Sequence, residues 1–221
     1  MTTVADLITR IQYRLFPGGE TISTSTTPTQ AEIIEWINEA NEWITGVLAE
    51  ERAGIGRTLG TITTVDGTAS YATLSTMYAP TDLVDKNGNT VNGWVLKTNS
   101  RNPIKLTTEG SSIDYSPAST AEGEPEMFYV DGSNNVVFLP TPDAVYTVKI
   151  PYYPMPTALT TTGATVPFLG LFDGLLVQAV VIRAQNRDEY DISNELKWFS
   201  FLTEKARRVI RMRNNVNVGL R

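Results

Sequence analysis

The chain has 221 residues, 18 of them basic and 24 acidic, a net charge of −6, and neither cysteine nor histidine. That excludes disulfides, thiolate and imidazole metal sites, and Cys–His or Ser–His catalysis, while the acidic balance argues against a general nucleic-acid-binding surface. The length allows two modules with cores of their own. With no apolar run near twenty residues and no basic-then-apolar leader, the chain is expected to be soluble and without a targeting segment.

Thr3 to Phe16 carries Val4, Leu7, Ile8, Ile11 and Leu15 at helical spacing, with Thr2 or Thr3 as cap. Pro17-Gly18-Gly19 ends this helix, and a Ser/Thr-rich loop follows to Pro28. Thr29 and Glu32 form a capping-box pattern that opens a second helix, to about Arg52. Its apolar stripe is Ile33, Trp36, Ile37, Ala40, Trp43, Ile44, Val47 and Leu48, and Glu32, Glu35, Glu39, Glu42 and Glu50 form an acidic row on the other side. Trp36 and Trp43, two turns apart, read as self-association or core anchors.

From Gly54 onward the pattern is that of strands and turns. Leu59–Val65, Asp66-Gly67 and Thr68–Ala72 read as a hairpin, Asp85–Asn89 as a turn, and Thr98–Pro125 as a long polar loop. Three β-rich runs, 127–130, 135–139 and 145–153, read as an antiparallel meander whose first turn is supplied by Asp131-Gly132. The last part is helical: Phe168 to Arg183, apolar nearly all round, then Ile192 to Met212 after a break at Asn186–Asp191. From Lys197 onward seven basic residues stand against one acidic, a net of +6, which leaves −12 on the 196 residues before.

Neither terminal helical region is stable alone at these lengths, so the expected fold is α+β: a four-helix bundle formed by the N- and C-terminal helices, with an inserted antiparallel β module, a sandwich or partial barrel. The expected divisions are 1–53 and 167–213 for the bundle, 54–166 for the β module and 214–221 for an extended tail.

The order of these parts resembles the head-to-tail connector, or portal adaptor, proteins of tailed bacteriophages. The residues that carry the resemblance are Val4-Ala-Asp-Leu-Ile-Thr-Arg-Ile-Gln12, Ile33-Ile-Glu-Trp-Ile-Asn-Glu-Ala-Asn41, the hairpin 61–71, the meander 125–153 and the closing helices 175–211. The resemblance implies a non-enzymatic virion protein of the neck: a homo-oligomeric ring, commonly of twelve subunits, that docks on the portal, receives a tail or neck protein and extends the DNA channel without binding DNA tightly. It implies no catalysis, cofactor, metal or membrane. On the charge pattern, Lys205, Arg208, Arg211, Arg213 and Arg221 are the expected portal-binding residues; the competing explanation is that cations favour a helix C-terminus.

Two rival classes are weaker. A carbohydrate- or receptor-binding β module of a phage tail would use Trp94, Tyr129, Tyr152 and Tyr153 for stacking, and a carboxylate-dependent glycoside hydrolase would draw on Glu122, Glu124 and Glu126. Gly54-Ile-Gly56 and Gly163 lack the strand-to-helix context of a phosphate loop.

Overall fold

Capping boxes start the first two helices. In a computed structural model, which describes residues 1–72, 74, 76–84, 89–108, 122–187 and 191–219, and only the backbone of 84, 169 and 213–219, the Thr3 hydroxyl accepts the Asp6 N–H at 3.2 Å while Asp6 accepts the Thr3 N–H at 2.8 Å. Thr29 and Glu32 repeat the arrangement at 3.3 and 2.7 Å. Both carboxylates are held below their ordinary range, chiefly by those backbone N–H groups. The helices that follow are α1 (Val4–Leu15) and α2 (Gln30–Glu50). A 3₁₀ turn, Pro167–Gly170, precedes α3 (Asp173–Arg187) and α4 (Ser193–Gly219).

These helices belong to one compact unit, residues 1–56 with 156–221; residues 57–155 form a second. In the first unit, backbone hydrogen bonds from Val4 and Ala5 to the Ala164 and Thr162 carbonyls (3.0 and 2.9 Å) tie the chain start to residues 162–166. α3 buries Leu175, Leu176, Val177, Val180, Val181 and Ala184, and α1, α2 and α4 all pack against it.

The second unit holds the strands β1 (Thr58–Thr63), β2 (Ser70–Ala72), β3 (Met77–Pro80), β4 (Leu83–Val84), β5 (Thr90–Val91), β6 (Gly93–Leu96), β7 (Arg101–Leu106), β8 (Glu122–Gly123), β9 (Met127–Val130), β10 (Asn135–Leu139), β11 (Thr141–Pro142) and β12 (Thr147–Pro154). The main sheet runs β1-β12-β6-β7-β9-β10-β2, with β3 also on β12. β7 and β9 are parallel, Lys105 opposite Met127 and Leu106 opposite Phe128; all other pairs of this sheet are antiparallel. The strands at its two ends, β1 and β2, are joined by only residues 64–69, where the Tyr71 hydroxyl donates to the Thr68 carbonyl at 2.6 Å and accepts the Val65 N–H at 2.8 Å. The sheet therefore curls until it is nearly closed. Ile62, Val95, Ile104, Phe128, Val136, Phe138, Val148 and Ile150 fill its interior. Gly93 is required where β6 meets β12: a Cβ there would lie 2.6 Å from the Lys149 carbonyl oxygen.

The expected four-helix bundle with an inserted antiparallel β module, sandwich or partial barrel, is therefore corrected. The described helices are three gathered on one, and the sheet is mixed and nearly closed. Two misread stretches account for the second point. Thr98–Pro125, expected to be a loop, contains β7 and β8, and β7 supplies the parallel pair. The Asp66-Gly67 turn is present, with Gly67 at φ 69°, but β1 and β2 do not pair with each other; they pair with β12 and β10. Of the expected meander only β9 and β10 pair, and the left-handed residue of their turn is Asn134 (φ 61°) while Asp131 caps it by accepting the Ser133 and Asn135 N–H groups. Residues 85–88 of the expected turn at Asp85–Asn89, residues 109–121 of the expected loop, and Arg221 lie outside the described residues, while the backbone of residues 214–219, expected as an extended tail, continues α4. No described helix is long and apolar enough to cross a membrane.

Candidate interaction surface

The exposed chemistry of the helical unit is laid out on α4. Asp191 sets its start by accepting the Ser193 N–H at 2.9 Å, and its carboxylate is held below the ordinary range by the hydroxyl and N–H of Ser193. The inner side of α4 lies on α2 and α3: Phe199 meets Trp43 with ring centroids 5.1 Å apart, and Ala206 and the buried Ile210 face Val47, Leu48 and Leu175. The outer side is open. Trp198 and Phe201 stack on each other at 5.2 Å yet remain 48 % and 54 % exposed, and Lys205, Arg208 and Met212 continue the same line in solvent.

Trp36 and Trp43 have different surroundings although they lie two turns apart. Trp36 is buried, with the guanidinium groups of Arg183 and Arg187 over its ring at 5.9 and 5.6 Å. Arg183 also pairs with Glu39 at 2.5 Å and Arg187 with Glu32 at 3.4 Å, so two members of the acidic row tie α2 to α3. Trp43 is 38 % exposed at the edge of a groove of about 430 Å³, lined also by Ile182, Leu196 and Phe199.

Where α4 passes the C-terminal end of α2, Arg211 grips Glu51 with two hydrogen bonds, Nε at 2.8 Å and Nη2 at 2.7 Å, and Arg207 reaches Glu50 at 3.0 Å. Two carboxylates at the negative end of a helix dipole are unfavourable by themselves, so the arginines neutralise both the side chains and the helix end. The Glu51 carboxylate is held below its ordinary value of 4.5 by the Arg211 hydrogen bond and by the charges of Arg211 and Arg207. A lowered folded value means that this contribution is complete above about pH 4.5 and is lost as the pH falls through the lowered value. Thermal unfolding followed from pH 7 to pH 3 is expected to show a loss on the acid side that is smaller in Glu51→Gln, which should itself be less stable at neutral pH by about 1 kcal/mol. An identical pH profile in that variant would show that the clamp does not hold α4.

Two buried polar groups fix the helices against one another. The fully buried Gln178 accepts Arg14 Nη1 at 2.5 Å and donates to the Glu195 carboxylate at 2.5 Å and the Glu195 carbonyl at 3.2 Å, joining α3 to α1 and to the first turn of α4. Asp173, at the start of α3, accepts the Thr2 hydroxyl at 2.7 Å and Arg10 at 3.1 Å.

Of the residues expected to contact the portal, Lys205 and Arg208 lie on the outer side of α4, Arg211 is engaged by Glu51, and the Arg213 side chain and Arg221 lie outside the described residues. Trp36 and Trp43 do not share one environment. The clamp at Glu50 and Glu51 and the ties through Gln178 and Asp173 are absent from the sequence reading; for the clamp a signal existed, since Glu50-Glu51 sits at the wrong end of a helix dipole. Four residues of the rival readings have other surroundings. Tyr152 and Tyr153 are buried, Arg101 covers the Trp94 ring at 5.5 Å, and Glu124 is paired with Lys97 at 2.6 Å. Among the described residues no three acidic side chains gather into a set able to hold a metal ion.

A comparison with curated proteins found no match. The family model described as SU10 adaptor protein matches residues 2–219, nearly the whole chain and both compact units. The chain, with its three-on-one helices, its nearly closed sheet and its outward-facing terminal helix, thus belongs to the SU10 adaptor protein family, a family of phage head-to-tail adaptors.

Proposed function

We propose that this structural adaptor assembles into a homo-oligomeric ring in the virion neck, of twelve subunits on the family resemblance, which docks on the portal, receives a tail or neck protein and continues the DNA channel. The observation that supports the reading best is the segregation of charge: +6 from Lys197 onward and −12 before it, with the basic part carried on a helix whose outer side is open. An acidic wall lets a polyanion slide without sticking, and basic residues at one end steer that end to an acidic partner. The end of α4 with the residues that follow, Arg213 and Arg221 included, is the portal-docking element. Arg211 serves it by holding the helix in place through Glu51. Trp43 belongs to the surface between subunits.

Mixing the purified chain with portal rings and weighing the complex by native mass spectrometry tests this. The full chain is expected to add a ring of its own mass to the portal, and a chain lacking residues 214–221 to lose portal binding by a factor of about 100 or more while its thermal midpoint moves by no more than about 2 °C, since Arg207, Ile210 and Arg211, which hold α4 to its neighbours, all precede the cut. Full-strength binding by the shortened chain would remove the docking role from the C-terminal segment.

A further inference from the structure

The outer stripe of α4 and the outer side of α2 have matching spacings and complementary chemistry. Along α4 the stripe is Trp198, Phe201, Lys205, Arg208 and Met212, with intervals of three, four, three and four residues. Along α2, on a side where none of the five is buried, Glu35, Glu39, Glu42, Gly46 and Ala49 follow intervals of four, three, four and three, with Glu39 at the edge nearest α3, where it meets Arg183. Laid antiparallel, the two series coincide at every position: Trp198 falls on Ala49, Phe201 on Gly46, Lys205 on Glu42, Arg208 on Glu39 and Met212 on Glu35. Bulky rings thus meet the small residues, both cations meet carboxylates, and an average spacing of 3.5 residues is the one that keeps two helices in register along a seam.

Within one chain these faces do not meet. α4 packs on α2 through Phe199 and Trp43, Arg207 and Glu50, and Arg211 and Glu51, which leaves the stripe and the row pointing elsewhere. Among the described residues Glu35, Glu42, Lys205 and Arg208 take part in no ion pair, and Trp198 and Phe201 are about half exposed. Glu39 already holds Arg183 but is 43 % exposed at its side chain, enough to accept a second guanidinium.

We infer that the stripe of α4 docks antiparallel on the α2 row of a second copy of this chain. Because the two faces differ, each copy gives one and receives one; such a head-to-tail contact closes into a ring where the rotation allows it. The inference rests on the ring reading above and assigns its lateral contact. It also separates the cations by role: Lys205 and Arg208 join neighbours, and the chain end beyond them reaches the portal. The seam spans about 21 Å of helix, which is little for a stable free dimer, so closure of the ring or the portal beneath it supplies the remaining stability.

Charge exchange tests the contact. Lys205→Glu and Glu42→Lys are each made in the full chain, then combined, and the association constant is measured by sedimentation and native mass, alone and on portal rings. Each single reversal is expected to weaken assembly at least tenfold, and the combined variant to return to within about threefold of the unaltered chain, because it restores an opposite-charge pair with the ends exchanged. Recovery in the combined variant also shows that the single reversals did not fail by misfolding. Single variants that assemble like the unaltered chain would overturn the inference and leave the ring reading standing. Weakened single variants that the combination does not rescue would overturn it too. An unaltered chain that stays monomeric both alone and on the portal would overturn the ring reading and this contact with it.

Discussion

Replacing Phe138 by alanine is expected to destabilise the sheet unit by about 3–5 kcal/mol, the usual range for emptying a buried aromatic position. Phe138 is fully buried in β10, with Tyr71 at 5.5 Å and Phe128 at 6.3 Å between ring centroids, so its loss opens a cavity faced by two other rings. Those partners come from β2 and β9, which flank β10 at one end of the sheet path. The cavity therefore undermines the stretch at which the curled sheet approaches closure. Against a total stability of about 5–15 kcal/mol the residual margin is small, and urea unfolding followed by tyrosine fluorescence should show a much lower midpoint. Val145→Ala, at a position 70 % exposed in the same unit, should shift the midpoint by less than about 0.5 kcal/mol equivalent. A Phe138→Ala loss as small as that of Val145→Ala would mean that the interior of the sheet is not the continuous core described.

Gln178→Leu is expected to destabilise the helical unit by about 2–4 kcal/mol although it conserves volume, because it strands charged partners rather than an empty space. Arg14 loses its buried acceptor, and Glu195 loses the donor that holds both its carboxylate and its carbonyl. Arg14 and Glu195 still pair at 3.0 Å, so part of the network survives. A cycle with Glu195→Gln reads the coupling: the double variant should be less destabilised than the sum of the singles by about 1 kcal/mol or more. Strict additivity would show that Gln178 acts alone. Since Glu195 is in the first turn of α4, the same change should loosen the helix that carries the proposed contact surfaces and lower the assembly of Gln178→Leu further than its stability loss alone would do.

Local signals were legible. The second capping box follows from Thr29 with Glu32 three positions on, the first helix start was legible as Thr2 or Thr3, and α3 is recognisable as a largely buried helix from its apolar residues. Helix existence is a matter of neighbours three and four residues apart, which the sequence displays directly. Strand partnership is not. β1, β2, β9, β10 and β12 are all recognisable as β-rich runs, but adjacency in sequence suggested pairing β1 with β2, whereas β12, which follows β1 by more than eighty residues, is its actual partner. β7 was hidden in a polar stretch because its single buried residue, Ile104, gives no alternation to read.

The acidic row of α2, the basic close of the chain and the two alternating series on α2 and α4 are properties of the sequence by itself, since a helix translates spacing into faces by a fixed angle per residue. Which faces stay open is a tertiary matter. It was the packing of three helices on α3, and the clamp of Arg207 and Arg211 on Glu50 and Glu51, that turned Phe199 and Ile210 inward and left Trp198, Phe201, Lys205 and Arg208 to solvent. A helix with apolar residues on two sides can lie on its neighbours by either, and partners more than 150 residues away in the chain, Glu50 for Arg207 and Glu51 for Arg211, fix the side that α4 uses.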